Sequence, residues 1–441
     1  MVPPSGGPAA SSPGTTSGSE ASGPPAVHAD VAVIGGGVIG HCIAWEAQRF
    51  GRSVVLIDDE PGSGASWAAA GMLAPVSELH YQEEGLLELM LESSYLWPAF
   101  AENLAGAGAG DFGYLTTPTL AVGADAADRR ALMDLRAVQE AHGLQVQALT
   151  VREARGKEPL LSPAISCALD IPADHQVDPR RLVAALREAL AAHEPGAGTA
   201  VDGARNGFAV DDRATALLWE GKRVSGVKLA NGGTVLAGET IVANGLQAAA
   251  MEGLPDWLQL PLRPVYGDIL RLRVPQHLRP LVTSTVRGMV HGVPVYVVPR
   301  QDGTVVIGAT QREDAQPGAV GTAAAGRAVS AGGVYQLLRD AQVLLPAVAE
   351  LELLECTTRA RPATPDNAPL LGRVRAPGSG HIPGLVIATG FYRHGVLLAP
   401  AAAAICRGLL DGREDPRWQA HSPDRFSSQP QADFQPTKET A

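Results

Sequence analysis

Cysteine is scarce in this chain: four residues in 441, Cys42, Cys167, Cys356 and Cys406, lie far apart, and no CxxC pair occurs. That argues against a zinc site or a redox dithiol. Cys42 and Cys406 fall in apolar helical patterns, where a thiol serves as a small core residue. Basic residues are also few: Lys plus Arg number 35 against 46 Asp plus Glu, a formal net charge of −11. An acidic chain without a basic cluster is a poor partner for nucleic acid or an anionic membrane. Long apolar runs are missing too. The Ala-rich segment 396–410 is amphipathic and falls short of the roughly 18 uninterrupted apolar residues of a membrane span. The first 27 residues carry one charge, Glu20, and lack the basic start and apolar stretch of a secretory signal. Rich in Pro, Gly and Ser, residues 1–27 read as a disordered leader, and the polar residues 413–441 as a disordered tail. These absences predict a cytoplasmic protein. No internal repeat is evident.

What is present is a chain that is 45% hydrophobic, enough for one large core or two interlocked domains. Its most informative stretch is Asp30 to Gly40. The apolar run of β-branched type from Val31 to Gly35 reads as a buried parallel strand. Gly35, Gly37 and Gly40 follow with the spacing G-x-G-x-x-G. The first glycine permits a tight turn, the second lets a diphosphate approach the backbone, and the third brings the next helix close to the strand. That helix shows as Ile39, Cys42, Ile43, Ala47 and Phe50 on one face, with Gly51 as its C-terminal cap. A second strand, Ser53 to Ile57, ends at Asp58. It stands 18 residues beyond Gly40, the place of an acid that binds a ribose hydroxyl. Together these features predict a bound dinucleotide. A small-residue run from Pro61 to Met72 follows, where backbone can come close to a ligand.

Further along, periodicity predicts helices over 83–105 and 126–142, and strands with turns over 111–122. Another helix starts at Pro179 with Asp178 as its N-cap. A hairpin turns near Gly221, and an apolar strand over 239–243 is closed by Asn244-Gly245. Strand-like segments at 268–274, 282–286, 293–298 and 304–308 form a meander, the sign of an antiparallel sheet. Helical pattern returns at 333–345, and strand, turn and helix at 384–410. The order α/β, antiparallel β, α/β predicts a Rossmann-like dinucleotide-binding domain (28–95, 165–255 and 355–412) with a mixed sheet and helices. An antiparallel-sheet substrate domain (96–164 and 256–354) interleaves with it.

Three features outside the glycine motif carry chemistry. Pro362 and Pro365 stiffen the backbone around Arg361, and a held guanidinium can grip a carboxylate through two parallel hydrogen bonds. An exposed loop arginine is the plainer reading. Tyr296, within a strand, is either packing or a second donor for the same carboxylate. In the segment Ala388 to Val396 a helix beginning near Gly395 would offer free N–H groups to a negative ligand edge. There His394 reads as a turn residue rather than a base.

With these pieces in place the chain resembles the D-amino-acid-oxidase-like FAD-dependent oxidoreductases, and within them the glycine oxidases of the ThiO type. The resemblance spans about residues 29–412. It is carried by residues 35–40, Ser63 to Pro75, Val177 to Leu182, Tyr296 to Arg300, Val306 to Thr310, Arg361 to Asp366 and Arg393 to Pro400. It implies FAD without a covalent link, and oxidation of a small amine-bearing acid with molecular oxygen as acceptor and hydrogen peroxide as product. It implies that Arg361, Tyr296 and Arg393 hold the substrate carboxylate, with no protein base strictly needed. The cofactor would be lined by Gly35, Gly37, Val38, Ile39 and Gly40, by Asp58 and Asp59, and by Ala65, Ser66, Ala70, Gly71 and Met72. Ala214 would sit on the adenine side, and Phe391, Tyr392, Arg393, His394, Gly395, Val396 and Leu397 would wrap the flavin. Thiazole synthase is the metabolic partner it suggests; a homo-oligomer is left open. The chain departs from the group at Phe391, Ala363, Tyr266 and Leu246, which bears on substrate range. A sarcosine or D-amino-acid oxidase, a quinone-linked dehydrogenase and a non-catalytic flavin-binding protein remain alternatives.

Overall fold

The computed structural model describes residues 26–81, 83–192, 207–313, 328–376, 378 and 380–427. The leader through Pro25 and the tail from residue 428 onward lie outside the described residues.

The first sheet is built around strand Val27–Ile34, which begins within the expected leader. Its neighbours run in the order Leu370–Ala376, Gly380–Thr389, Thr234–Val242, Val27–Ile34, Val54–Ile57, Ala209–Val210. Four of the five pairings in this order are parallel, and Leu370–Ala376 adds an antiparallel edge. The hairpin Ala214–Glu220 and Arg223–Leu229 hangs on Thr234–Val242, turning at Gly221 as the sequence predicts. Alternation explains why the buried half of the central strand, Val31 to Ile34, is apolar on both faces. Val31 and Val33 face a core shared with helices Val38–Arg49, Glu84–Gly106, Pro179–Ala192 and Ala399–Leu410. Ala32 and Ile34 face a second core under the hairpin. A strand covered on both faces has no place for a polar side chain.

The second sheet has the order Glu352–Ala363, Arg263–Arg273, Thr304–Gly308, Val293–Pro299, Thr285–Val290, Thr119–Gly123, Cys167–Ile171, Gln147–Leu149. It is antiparallel except where Thr285–Val290 meets Thr119–Gly123. Helix Ala331–Leu344 covers one face. The other face meets the small-residue run: Ile269, Val298 and Val306 pack against Ala68 and Ala70.

Several expectations shift. Two strands assigned to the dinucleotide domain, within 165–171 and 355–363, belong to the second sheet because their backbones complete its ladder. Arg361 is therefore in a strand and not in a loop. The strand expected at 282–286 is Thr285–Val290, set by a two-residue turn at His291-Gly292, both with positive φ. Of 111–122 only Thr119–Gly123 forms a strand, with a single bridge at Leu115. Phe50 is 53% exposed and does not join its helix's buried face. The last helix begins at Ala399, not near Gly395, because a turn from Phe391 to Leu398 precedes it. The expected tail is ordered as far as Ser427: Pro416–His421 forms a 3₁₀ turn that buries Trp418 against the first core. No helix among the described residues is long and apolar enough to cross a membrane.

Candidate active site

A cavity of about 910 Å³ is lined from both sheets. One wall is backbone. Gly35 has φ +110°, and a Cβ there would stand 2.6 Å from the Ala243 carbonyl oxygen. A Cβ on Gly40 would overlap the carbonyl oxygen of Gly35, so the helix can approach its strand only with glycine there. Gly40 itself lies behind the turn; Gly35, Gly37, Val38 and Ile39 line the cavity. The Val38 N–H donates to Ser66 Oγ at 3.0 Å, which ties the small-residue run to the glycine turn.

Asp58 and Asp59 are at the same wall. Asp58 accepts from the Gly36 N–H at 2.6 Å and from the Glu60 N–H at 2.8 Å. Each carboxylate oxygen thus keeps a free lone pair while bracing the turn. Burial raises the Asp58 carboxyl above its ordinary range, and these two hydrogen bonds oppose the rise.

Ala65, Ser66, Ala70, Gly71, Met72 and Ala214 also line the cavity. Arg300 locks this run in place. Its guanidinium donates to the carbonyls of Ala70 and Val177. Asp178, the cap of helix Pro179–Ala192, lies 3.7 Å away. Burial lowers the Arg300 pKa to about 10, so the group stays charged.

Phe391, Tyr392, Arg393, His394, Gly395, Val396 and Leu397 form the end of the cavity nearest the last helix. Ser93 Oγ and Trp97 Nε1 donate to the Leu397 carbonyl at 2.7 and 2.9 Å. The amides of Gly395, Val396 and Leu397 have no partner among the described residues. His394 is buried with Nε2 unpartnered among the described residues. Burial, then the neighbouring Arg393, lowers its imidazole to about 3, so it is neutral and weakly basic.

The opposite wall is made of side chains. In the ladder Arg361 pairs with Val265, and Tyr296 with Gly308. A Cβ on Gly267 would overlap the Arg361 guanidinium, and one on Gly308 the Tyr296 hydroxyl. Both polar groups therefore lie flat on glycine gaps in the sheet. Burial pushes the Tyr296 phenol up to about 12, with Arg361 pulling it back, so it remains a hydrogen-bond donor. Among the described residues the Arg361 guanidinium has no hydrogen-bond or ion-pair partner.

Arg393 differs from that expectation. Its guanidinium pairs with Glu78 at 3.0 Å and with Glu83, so it is not open to a carboxylate as Arg361 is. Glu78 pairs in addition with Arg287. Sequence reasoning missed Glu78 and Arg287. The signal for Arg287 was the His291-Gly292 hairpin, whose register places it opposite Tyr296. Glu78 had only its isolation in an apolar run. Its segment is held by buried Asp174, which accepts from the Val76 and Ser77 amides at 3.0 Å each. Burial pushes that carboxyl up to about 6.

Residues 30–407 match the family model for FAD dependent oxidoreductases (DAO). The chain is 33% identical over 387 residues to a glycine oxidase of Geobacillus kaustophilus, covering 87% of this chain and 93% of that one. It is 30% identical over 401 residues to a bifunctional protein ThiO/ThiG of Trichormus variabilis, covering 91% of this chain but 55% of that protein. A crystal structure of glycine oxidase from Geobacillus kaustophilus superposes with a TM-score of 0.75 at 31% identity, covering 90% of this chain and 99% of that one.

Proposed function

The chain belongs to the FAD dependent oxidoreductase family, and from that premise we propose that its substrate is glycine, with sarcosine and small D-amino acids as further substrates. The enzyme is an FAD-dependent amine oxidoreductase. In the proposed reaction the amine is oxidised to an imine, which water converts to glyoxylate and ammonia, while oxygen becomes hydrogen peroxide.

The residues fit the cofactor. The glycine turn leaves room at Gly37 for a diphosphate, and three amides at Gly395 to Leu397, unpaired among the described residues, suit an electron-rich ring edge. The buried Asn244 Oδ1, also at the cavity, lacks a partner among the described residues. FAD, when bound, supplies the two-electron acceptor.

The observation that carries the substrate reading is the unpaired Arg361 guanidinium beside the Tyr296 hydroxyl. Arg361 receives the carboxylate through two parallel hydrogen bonds, and Tyr296 donates a third. For so small a substrate, these contacts supply the orientation on which the reaction depends. The weakly basic His394 is not needed as a proton acceptor if the amine enters neutral.

The chain spans about half the length of the ThiO/ThiG relative. That fusion supports a reading in which the imine passes to a thiazole synthase. The test is a visible spectrum of the purified protein, followed by peroxide release with a panel of amino acids. A flavin spectrum and peroxide from glycine are expected. Peroxide from a bulky D-amino acid but none from glycine would replace this substrate.

A further inference from the structure

The cavity wall that carries Arg361 and Tyr296 holds more positive charge than one carboxylate needs. Arg287 is the cross-strand partner of Tyr296, so the two side chains share one face of the sheet. Arg393 comes to the same place from the turn before the last helix. The Tyr296 phenol lies in the field of Arg361, Glu78 and Arg287 together. Glu78 sits between the two further arginines, one carboxylate oxygen on Arg287 and the other 3.0 Å from Arg393 Nε. Glu83 takes a second edge of Arg393 and is itself held by Asn367 at 2.7 Å. Arg287 and Glu78 are only 17% and 13% exposed, so water screens their attraction weakly. Among the described residues Arg393 has two carboxylates, Arg287 has one, and Arg361 has none.

We propose that Glu78 is the specificity residue that restricts this site to substrates with a single carboxylate. It rests on the reading that Arg361 receives that carboxylate. Glu78 does so by occupying Arg287, the cation next along the sheet face. A second acid group on the substrate would have to displace Glu78 or lie against it. Displacement leaves a carboxylate without its partner, and the approach sets two negative charges side by side. The two arginines are sufficient in number to admit a diacid; Glu78 closes one of them.

The test uses acids that cannot be oxidised, so that binding is read apart from turnover. Calorimetry on the flavin-loaded enzyme compares acetate with malonate, succinate and glutarate, a series that varies the spacing of the two carboxylates. Wild type is expected to bind acetate better than every diacid. Glu78→Gln is expected to raise the affinity of at least one diacid, relative to acetate, by ~tenfold or more, the effect of one added charge-assisted pair. Glu78→Gln/Arg287→Gln is expected to lose that gain, because the receiving cation is gone. Should Glu78→Gln not fold, Glu78→Gln/Arg393→Gln keeps the net charge of the three groups while leaving Arg287 open, and it is expected to show the same gain. An unchanged diacid-to-acetate ratio in the folded variant overturns the proposal. So does an equal gain for acetate and diacids, which marks Glu78 as a distant charge only. Arg361→Gln is the separate control: if it binds acetate as wild type does, the carboxylate reading itself is wrong, whatever Glu78 does.

Discussion

The two walls of the cavity are built on opposite plans. The glycine-turn wall presents backbone, a turn that tolerates no Cβ at Gly35 and Gly40, and backbone continues at the end of the cavity in the amides of Gly395 to Leu397, unpartnered among the described residues. The sheet wall presents side chains laid over backbone gaps, Arg361 on Gly267 and Tyr296 on Gly308. A backbone wall is rigid, and any side chain of the wrong size obstructs it. A side-chain wall is adjustable, and its chemistry depends on which charges are already paired. Damage to the first wall should therefore appear as lost fold and lost cofactor. Damage to the second should appear as lost ligand with the fold intact.

The largest effect is expected from Gly40→Ala. The new methyl overlaps the Gly35 carbonyl, backbone against backbone, with no flexible side chain to yield. A loss of about 1–3 kcal/mol or more is expected from overpacking, together with loss of flavin. Urea denaturation and the flavin-to-protein absorbance ratio measure the two. A variant that keeps wild-type stability and flavin would remove the distinction between the walls.

Next is Arg361→Ala, on the other wall. Affinity for acetate and glycine should fall roughly ten- to a hundredfold, with flavin content unchanged. Tyr296→Phe removes one neutral hydrogen bond and should cost about 0.5–1.5 kcal/mol. Arg393→Ala sharpens the contrast, because it strips Glu78 and Glu83 of a partner and should lower thermal stability as well as alter binding. The check is ligand affinity and melting temperature on the same preparations.

Asp58→Asn probes the joint between cofactor and turn. An amide cannot accept from both Gly36 and Glu60 through its two ends, so one bond is lost, at about 0.5–1.5 kcal/mol. FAD affinity should weaken in parallel, as measured by titration of the apoprotein.

A last test, of a different kind from the substitutions, concerns pH. Burial holds His41 and His421 at about 4 and His394 at about 3, against an ordinary 6.5. As pH falls below 6.5 the unfolded chain takes up protons that the folded one refuses, so stability falls toward pH 4. Asp174, raised to about 6, works against this between 3.8 and 6, because its folded form binds the proton more tightly. His80 and His175 are lowered by burial as well, and Asp58 is raised beside Asp174, so among the described residues five histidines oppose two carboxyls and the melting temperature should be lower at pH 5 than at pH 7. His421→Gln should flatten part of the slope; a melting temperature independent of pH would contradict the burial of these groups.

Much of this architecture was legible because its determinants are neighbours in the chain. Gly35, Gly37, Gly40 and Asp58 act within one strand–helix–strand unit, and the hydrogen bond from Gly36 to Asp58 closes that unit on itself. The N-cap at Asp178 is equally local. Misreadings arose where a segment answers to a distant partner. Glu352–Ala363 looked like a return to the first domain, but it pairs along its whole length with Arg263–Arg273. The segment after Arg413 is polar, but Trp418 finds an apolar pocket and orders it. The pattern at 282–286 sets this strand too early, and only the ladder of Thr285–Val290 brings Arg287 opposite Tyr296.

The two arginines that the sequence presents alike, Arg361 and Arg393, mark the boundary of what it determines. By itself it determined the dinucleotide unit, the antiparallel sheet and part of the polar lining of the cavity, with Arg361 and Tyr296 but without Glu78 and Arg287. Only the tertiary structure decided that Arg393 is paired and Arg361 open. Glu83 is 310 residues from Arg393, and Glu78 is 209 from Arg287. Ion pairing depends on separation in space, and no periodicity or spacing along the chain encodes which carboxylate the fold brings within a few ångströms of which guanidinium.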